Sequence, residues 1–452
     1  MRRMVLLLAS MALAVLIASG LALKGVPTQA QEPSKKPNIV FVYTDDMRHD
    51  ELAKIRSLAN FADQGMEFSS AYVTNSLCCP SRTTALTGQY SHTHGVLSNK
   101  KWGSIPGGYA AYRARGIGGH NLGVYLERGG YANSLYGKFL NGYGSHRPPN
   151  GFDRYYWTKS PAQDPEIGDA AATFVRSHHN KPMFLALWMK APHVPLEYPD
   201  RYKSAHRNTR IDPGPAYAEA DRSDKLPWVQ KQEAPSRRAI TKMGRERLRT
   251  LEGAADAVER VRAAMARYGE AKNTYYVFAS DNGYLFGEHG LTSKMLPYEE
   301  SVRIPMFWVG PDVQQVVVSD KLVTNNDLTP TILELAGVKA SRPVDGRSLV
   351  PLLEGEEPES WRTAILSENP GQGSEGRPAH RLVRTADYAL IEWEGGFREL
   401  YDMGEDPHQL ENLLSSDRPP DERVITGLED RLNALRNCEA STCVEAENEA
   451  GA

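Results

Sequence analysis

Cysteine is scarce: the 452 residues contain four. Stability must therefore come from a buried core rather than a disulfide framework, and the chain is long enough to build a large one. Long apolar runs are equally few. One, Met4–Leu23, stands near the N-terminus and no second follows. That excludes a protein threaded repeatedly through a membrane. An excess of positive charge is missing too, with 53 Lys and Arg against 56 Asp and Glu. The chain is thus a poor candidate for nonspecific nucleic-acid binding, and an anionic substrate would need a local cationic pocket. Internal repeats are absent, which excludes a solenoid.

The apolar run follows Arg2 and Arg3 and leads to small residues at Thr28–Ala30. It reads as a secretory signal peptide spanning residues 1–30. Its length also suits an uncleaved membrane anchor, but the polar sequence with Pro27 and Pro33 that follows favours cleavage. Removing Arg2, Arg3 and Lys24, in a stretch without acids, takes the net charge from −3 to −6. The expected location is extracytoplasmic, periplasmic or secreted, after passage through an export machinery. Such a compartment is oxidising, so Cys438 and Cys443 are expected to close a small disulfide loop. Cys78 and Cys79 are adjacent and cannot easily bond each other.

What is present is a series of short apolar runs. Asn38–Thr44, Tyr131–Tyr136, Met183–Met189 and Thr274–Ser280 read as buried parallel strands, which need helices on both faces. The spacing of Leu248, Leu251, Ala255, Val258, Val261 and Met265 predicts one helix over about residues 245–268. The expected fold class is α/β. After Asp345 the pattern changes. Tyr388–Trp393, a Glu-Gly-Gly turn and Phe397–Tyr401 predict a β-hairpin, and Val424, Leu428, Leu432 and Leu435 predict an amphipathic helix. The chain thus divides into a main domain at 36–344, a smaller α+β region at 345–436 and a tail at 437–452. Residues 200–232 form a polar excursion, read as a rim to the site.

The strands deliver polar residues at their carboxyl ends: Asp45-Asp46, Gly137-Lys138, Lys190 to His193, and Asp281-Asn282. Ligands of open α/β sheets bind there. Three carboxylates and an amide suit Ca²⁺, or less well Mg²⁺, better than zinc. With Arg82, Lys138, His193 and Lys294 they fit transfer of a phosphoryl or sulfuryl group, in which oxygen charge must be stabilised. Cys78 stands just before a predicted helix with Pro80 in its first turn, where an anionic group or a thiolate would be favoured.

Cys78-Cys79-Pro80-Ser81-Arg82, then four residues and Thr87-Gly88, resembles the C-x-P-S-R-x₄-T-G signature of the type I sulfatases. The resemblance continues through NIVFVYTDD, YGKFLNGYG, APHVP, SDNGYLFGEHGLTSK and ELYDMGEDPHQLENLL, in the family's order. It implies an alkaline-phosphatase-like sandwich, with a large mainly parallel sheet flanked by helices and a smaller C-terminal antiparallel sheet. It implies that a formylglycine-generating enzyme oxidises Cys78 to Cα-formylglycine, whose hydrate attacks sulfur and later releases sulfate. By the same resemblance, Asp45, Asp46, Asp281, Asn282 and the modified Cys78 would hold Ca²⁺. Arg82 would polarise the nucleophile, Lys138 and Lys294 would bind sulfate oxygens, and His193 with Lys294 would protonate the leaving oxygen.

One position departs from the family. Many members carry G-K-x-H, with a histidine thought to act as base; here Leu140 stands in its place. Asn141 and His94 are therefore candidates for substrate contact. CCPSR together with GKFLNGYG is similar to the N-acetylglucosamine-6-sulfatase branch, which includes extracellular heparan endosulfatases. The implied substrate is a sulfated carbohydrate, or more broadly an aryl or sugar sulfate ester. A phosphonate or phosphate ester hydrolase on the same scaffold, and a sulfated-glycan-binding protein without turnover, are the rival expectations.

Overall fold

A computed structural model describes residues 35–371 and 376–448. The expected signal peptide lies outside the described residues, as does the end of the tail. Eight strands form the central sheet: β1 (Asn38–Thr44), β2 (Met66–Phe68), β3 (Ala132–Gly137), β4 (Arg154–Tyr156), β5 (Met183–Trp188), β6 (Thr274–Ser280), β7 (Met306–Val309) and β8 (Val317–Ser319). Their order is β8-β2-β7-β6-β1-β5-β3-β4. Only β7 runs antiparallel to its neighbours.

Every residue of β1 is buried. Its side chains alternate: Ile39, Phe41 and Tyr43 enter one core, Val40 and Val42 the other. A strand buried at every position can satisfy this only with helices on both faces. Three of them are α1 (Cys78–Thr87), α2 (Asp164–His178) and α3 (Arg237–Arg267). Phe174 and Val175 of α2 and Leu248, Leu251, Val258 and Val261 of α3 share the core of Val40 and Val42. Leu86 of α1 shares the opposite core with Phe41. Each such side chain, fully buried, contributes on the order of 1.5–3 kcal/mol. Helix α3 starts earlier than the apolar spacing predicts, because the Ser236 side chain caps it by accepting the Ala239 N–H at 3.3 Å.

The smaller sheet holds four antiparallel strands: β9 (Ala364–Asn369), β10 (His380–Thr385), β11 (Tyr388–Trp393) and β12 (Arg398–Asp402). The predicted hairpin is β11–β12. Strand β10 escapes the apolar pattern because Arg381 and Arg384 interrupt it. Helix α4 (Glu422–Leu435) packs Leu428, Leu432 and Leu435 against Leu366, Val383, Leu390 and Leu400. The Cys438–Cys443 disulfide is formed. Residues 200–232 are mostly irregular and dock on the segment leading to Lys294, with Arg222 Nη1 donating to the carbonyls of Gln232 and His289 at 2.7 and 2.9 Å. Among the described residues, no helix is long and apolar enough to cross a membrane.

Candidate active site

The parallel register aligns the acidic strand ends. Thr44 pairs with Ser280, so Asp45-Asp46 and Asp281-Asn282 leave the sheet side by side. The Asp281 N–H donates to Thr44 O at 3.0 Å, and the Asp46 N–H donates to Asp281 Oδ1 at 3.1 Å. Asp46 itself sits at φ 75°, a left-handed conformation disfavoured for a side chain with a Cβ. Strand β3 ends at Gly137, whose φ is 85° and whose added Cβ would lie 2.0 Å from Trp188 O. Only glycine fits there, and the turn sends Lys138 toward Asp45, with Nζ 2.5 Å from Asp45 Oδ2.

Cys78 is the first residue of α1 rather than the residue before it, and it is fully buried. Its Sγ lies 3.3 Å from Asp45 Oδ1 and 2.8 Å from Lys294 Nζ. Lys294 also donates to Asp46 Oδ1. One turn along α1, Arg82 donates from Nε to Asp281 Oδ2 at 2.8 Å and from Nη1 to Lys138 O at 2.7 Å. Its guanidinium lies 5.6 Å from the Tyr43 ring centre and 5.3 Å from that of Trp188. His193 Nδ1 donates to Val194 O at 2.5 Å, which leaves Nε2 facing Asp46 Oδ2 at 4.0 Å.

The charges are tightly coupled. Burial opposes ionisation of Asp45, but Lys138, then His193, Arg82 and Lys294, hold it well below the usual carboxylate range. Asp281 moves the other way, raised by burial and then by Asp45. Burial, and then Asp45, push the Cys78 thiol up to about 12, so an unmodified Cys78 is a poor thiolate nucleophile.

Ligand atoms of Asp45, Asp46, Cys78 and Asp281 all lie within 4.8 Å of one another. Asn282 Oδ1 is buried beside them without a hydrogen-bond partner. A buried amide oxygen without a donor is costly unless something else meets it. Together with three carboxylates it makes a hard, all-oxygen set that suits Ca²⁺ or Mg²⁺.

Nine of the residues singled out in the sequence meet here: Asp45, Asp46, Cys78, Arg82, Lys138, His193, Asp281, Asn282 and Lys294. Two stand apart. His94 lies behind α1, with Nδ1 accepting the Val96 N–H at 3.0 Å and Nε2 facing Thr84 Oγ1 at 3.1 Å. Asn141 Oδ1 is buried without a partner, and its carbonyl accepts the Tyr109 N–H at 2.8 Å. Leu140 belongs to the core and is 4% exposed, so this position offers the site no polar group. Cys79 is buried, its N–H on Asn99 Oδ1 at 2.8 Å.

The sequence pattern gives no sign of two supporting groups. Arg247 of α3 is buried, binds both oxygens of Glu51 at 2.8 Å and donates from Nη2 to the Asp46 carbonyl. It thereby clamps the left-handed residue in place. Asp164, at the start of α2, accepts the N–H groups of Lys190 and Ala191 at 3.3 and 2.9 Å and so fixes the loop that carries His193. Both side chains act across large sequence separations, where no spacing rule applies.

The sulfatase family matches residues 37–338. The chain belongs to the sulfatase family. A second match, to the N-sulphoglucosamine sulphohydrolase C-terminal family, covers residues 287–438. The chain is 33% identical to the extracellular sulfatase SULF-1 homolog of Drosophila melanogaster over 75% of its length, and spans only 33% of that longer protein. It is 28% identical to the N-acetylglucosamine-6-sulfatase of Capra hircus, covering 92% of this chain and 86% of that one. Among solved structures, BT4656 in complex with its substrate D-glucosamine-2-N,6-O-disulfate superposes with a TM-score of 0.74 at 22% identity, over 91% of this sulfatase and 99% of that chain. The fold is the alkaline-phosphatase-like sandwich expected from the resemblance, and the enzyme class is that of the sulfuric ester hydrolases.

Proposed function

We propose that this sulfatase hydrolyses sulfate monoesters on a sulfated sugar, of the kind named by its N-acetylglucosamine-6-sulfatase relatives. The observation that carries the reading is Cys78. It opens α1 in a C-x-P-S-R context, with its Sγ between Asp45 and Lys294. Converted to formylglycine, it would supply the nucleophilic oxygen, and a hard cation, Ca²⁺ before Mg²⁺, would supply positive charge beside it. Asp45, Asp46, Asp281 and Asn282 would hold that cation together with the modified Cys78.

The remaining residues have separate tasks. Lys138 and Lys294 bind the sulfate oxygens as they gain charge. Arg82, immobilised by Asp281 and by the Tyr43 and Trp188 rings, orients the nucleophile. His193 keeps its Nδ1 proton on the Val194 carbonyl and, as the imidazolium, presents Nε2–H to the leaving oxygen, to which it gives that proton. No imidazole stands at Leu140; Lys294 assists His193 in protonating the leaving oxygen. Residues 1–30 act as a cleaved signal, the enzyme works outside the cytoplasm, and a formylglycine-generating enzyme converts Cys78. The domains divide at about residue 344.

The test is mass spectrometry of the Cys78 peptide from the native host, with sulfate release measured on a 6-O-sulfated glucosamine and on a phosphonate monoester. Formylglycine with sulfate release is expected. Active protein with unmodified Cys78 would end the formylglycine reading. Turnover of the phosphonate alone would move the enzyme to the phosphorus-ester rival.

A further inference from the structure

Of the seven tryptophans, Trp157 is the only exposed one. Trp188, Trp308 and Trp393 are at most 2% accessible, whereas Trp157 is 39% accessible. Leaving so large an apolar ring in water forgoes a substantial burial gain. Its position gives a reason. Tyr156 at the end of the edge strand β4 pairs with Tyr136 of β3. Trp157 therefore emerges level with Gly137, one strand spacing (about 4.8 Å) across, directly beside the turn that presents Lys138. The Tyr155 hydroxyl donates to Gly137 O at 3.3 Å and ties the two strand ends together.

A second element reaches the same ring. Lys190 Nζ lies 5.0 Å from the Trp157 ring centre and donates to Lys159 O at 2.7 Å. Lys190 opens the loop that carries His193 and the exposed Val194, and Asp164 anchors that loop by its N–H groups. An aromatic ring and an ammonium thus stand together on the rim of the cluster, contributed by two strand ends. His146 touches the ring edge, its own ring 5.7 Å away.

A pyranose has an apolar C–H face and polar edges, and sulfated glycans add an anionic group on most residues. An open tryptophan ring with a neighbouring ammonium matches both features. We propose that Trp157 and Lys190 form a subsite for the sugar adjoining the one that carries the reacting sulfate, with Trp157 meeting its C–H face and Lys190 its anionic substituent. The substrate is then a sulfated chain rather than a single sugar. This rests on the sulfated-sugar reading of the site.

The experiment compares kcat/KM for 6-O-sulfated N-acetylglucosamine with that for a heparin-derived tetrasaccharide ending in a 6-O-sulfated glucosamine, using enzyme with formylglycine confirmed. Trp157→Ala and Lys190→Ala are each expected to lower the tetrasaccharide-to-monosaccharide ratio about tenfold, mainly through KM, and Trp157→Phe to restore most of it. Lys190→Ala keeps the test decisive if Trp157→Ala does not fold. A wild-type enzyme active on both sugars, with ratios unchanged in folded variants, overturns the subsite alone. A wild-type enzyme that releases no sulfate from either sugar overturns the sulfated-sugar reading beneath it as well.

Discussion

Arg82 and Arg362 are both shut off from solvent, and both face two carboxylates. Arg362 spends all three nitrogens: Nε on Glu447 at 3.0 Å, Nη2 on Asp327 at 2.6 Å, and Nη1 on Asp327 and on Thr324. It ties the chain around Asp327 to the C-terminal helix that carries Glu447. Arg82 spends two nitrogens, while its Nη2 lies 3.5 Å from Asp45 without a hydrogen bond. Beside Arg82 stand an amide oxygen without a donor and a buried thiol. The two regions use the same ions. A closed set of partners makes a staple; a set left open around a reactive atom makes a site. Completeness of pairing separates them better than burial or charge does.

Substitutions should separate the two regions, and the largest effect belongs at the open one. Cys78→Ala is expected to abolish sulfate release while the protein stays folded, as read by activity and circular dichroism together. Next comes the paired comparison. Asp281→Asn should lower kcat/KM at least about 100-fold and reduce bound metal, measured by atomic spectroscopy. Asp327→Asn should lose about 3–5 kcal/mol of stability, because Arg362 is left buried and underpaired, with activity per folded molecule within about twofold. Equal activity losses in both variants would erase the distinction between site and staple.

Arg247→Lys tests whether a closed ion pair can serve an open site. Lysine cannot hold Glu51 in two places and also reach the Asp46 carbonyl. Affinity for the proposed Ca²⁺, read by calorimetric titration, is expected to fall about 10–100-fold. Unchanged affinity would show that Asp46 keeps its left-handed conformation without the clamp. A smaller effect concerns pH. Burial, then His92 and Arg115, lower the His94 pKa to about 3, while in the unfolded chain it is about 6.5. Between those values the unfolded state binds a proton that the folded state refuses. Stability must therefore fall as pH drops below about 6.5, by about 1.4 kcal/mol per unit for this group. His94→Gln should flatten the loss between pH 6.5 and 5 in urea unfolding. Smallest of all, Cys79→Ala should change kcat/KM by less than about twofold, because its thiol is buried off the cluster.

Local order was legible from the sequence wherever it is stated in adjacent residues. Strands β1 and β6 end where their apolar runs end, and the acid pairs follow at once. The C-x-P-S-R run fixes Cys78 and Arg82 one helical turn apart, so both face the same acids. Periodicity exposed the core of α3, and the two late cysteines did pair. Strands β2, β4, β7, β8, β9 and β10 were not read from the sequence: β2, β4 and β8 are only three residues long, β7 is four, and arginines interrupt β10.

Only the tertiary structure decided which polar residues act together. Arg247 reads as one of many charges on a long helix until the fold sets it against Glu51 and Asp46, about two hundred positions earlier. Trp157 reads as an ordinary apolar residue until the edge of the sheet leaves it open beside Lys138. His94 looks like a site histidine in SHTHG, but α1 lies over it. The sequence by itself determined the long buried strands, the acid pairs that follow them and the C-x-P-S-R run, because periodicity and adjacency are local properties of a chain. Clamps, subsites and the pairing state of each buried ion belong to the fold, because they depend on contacts between segments that meet only after the sheet has assembled.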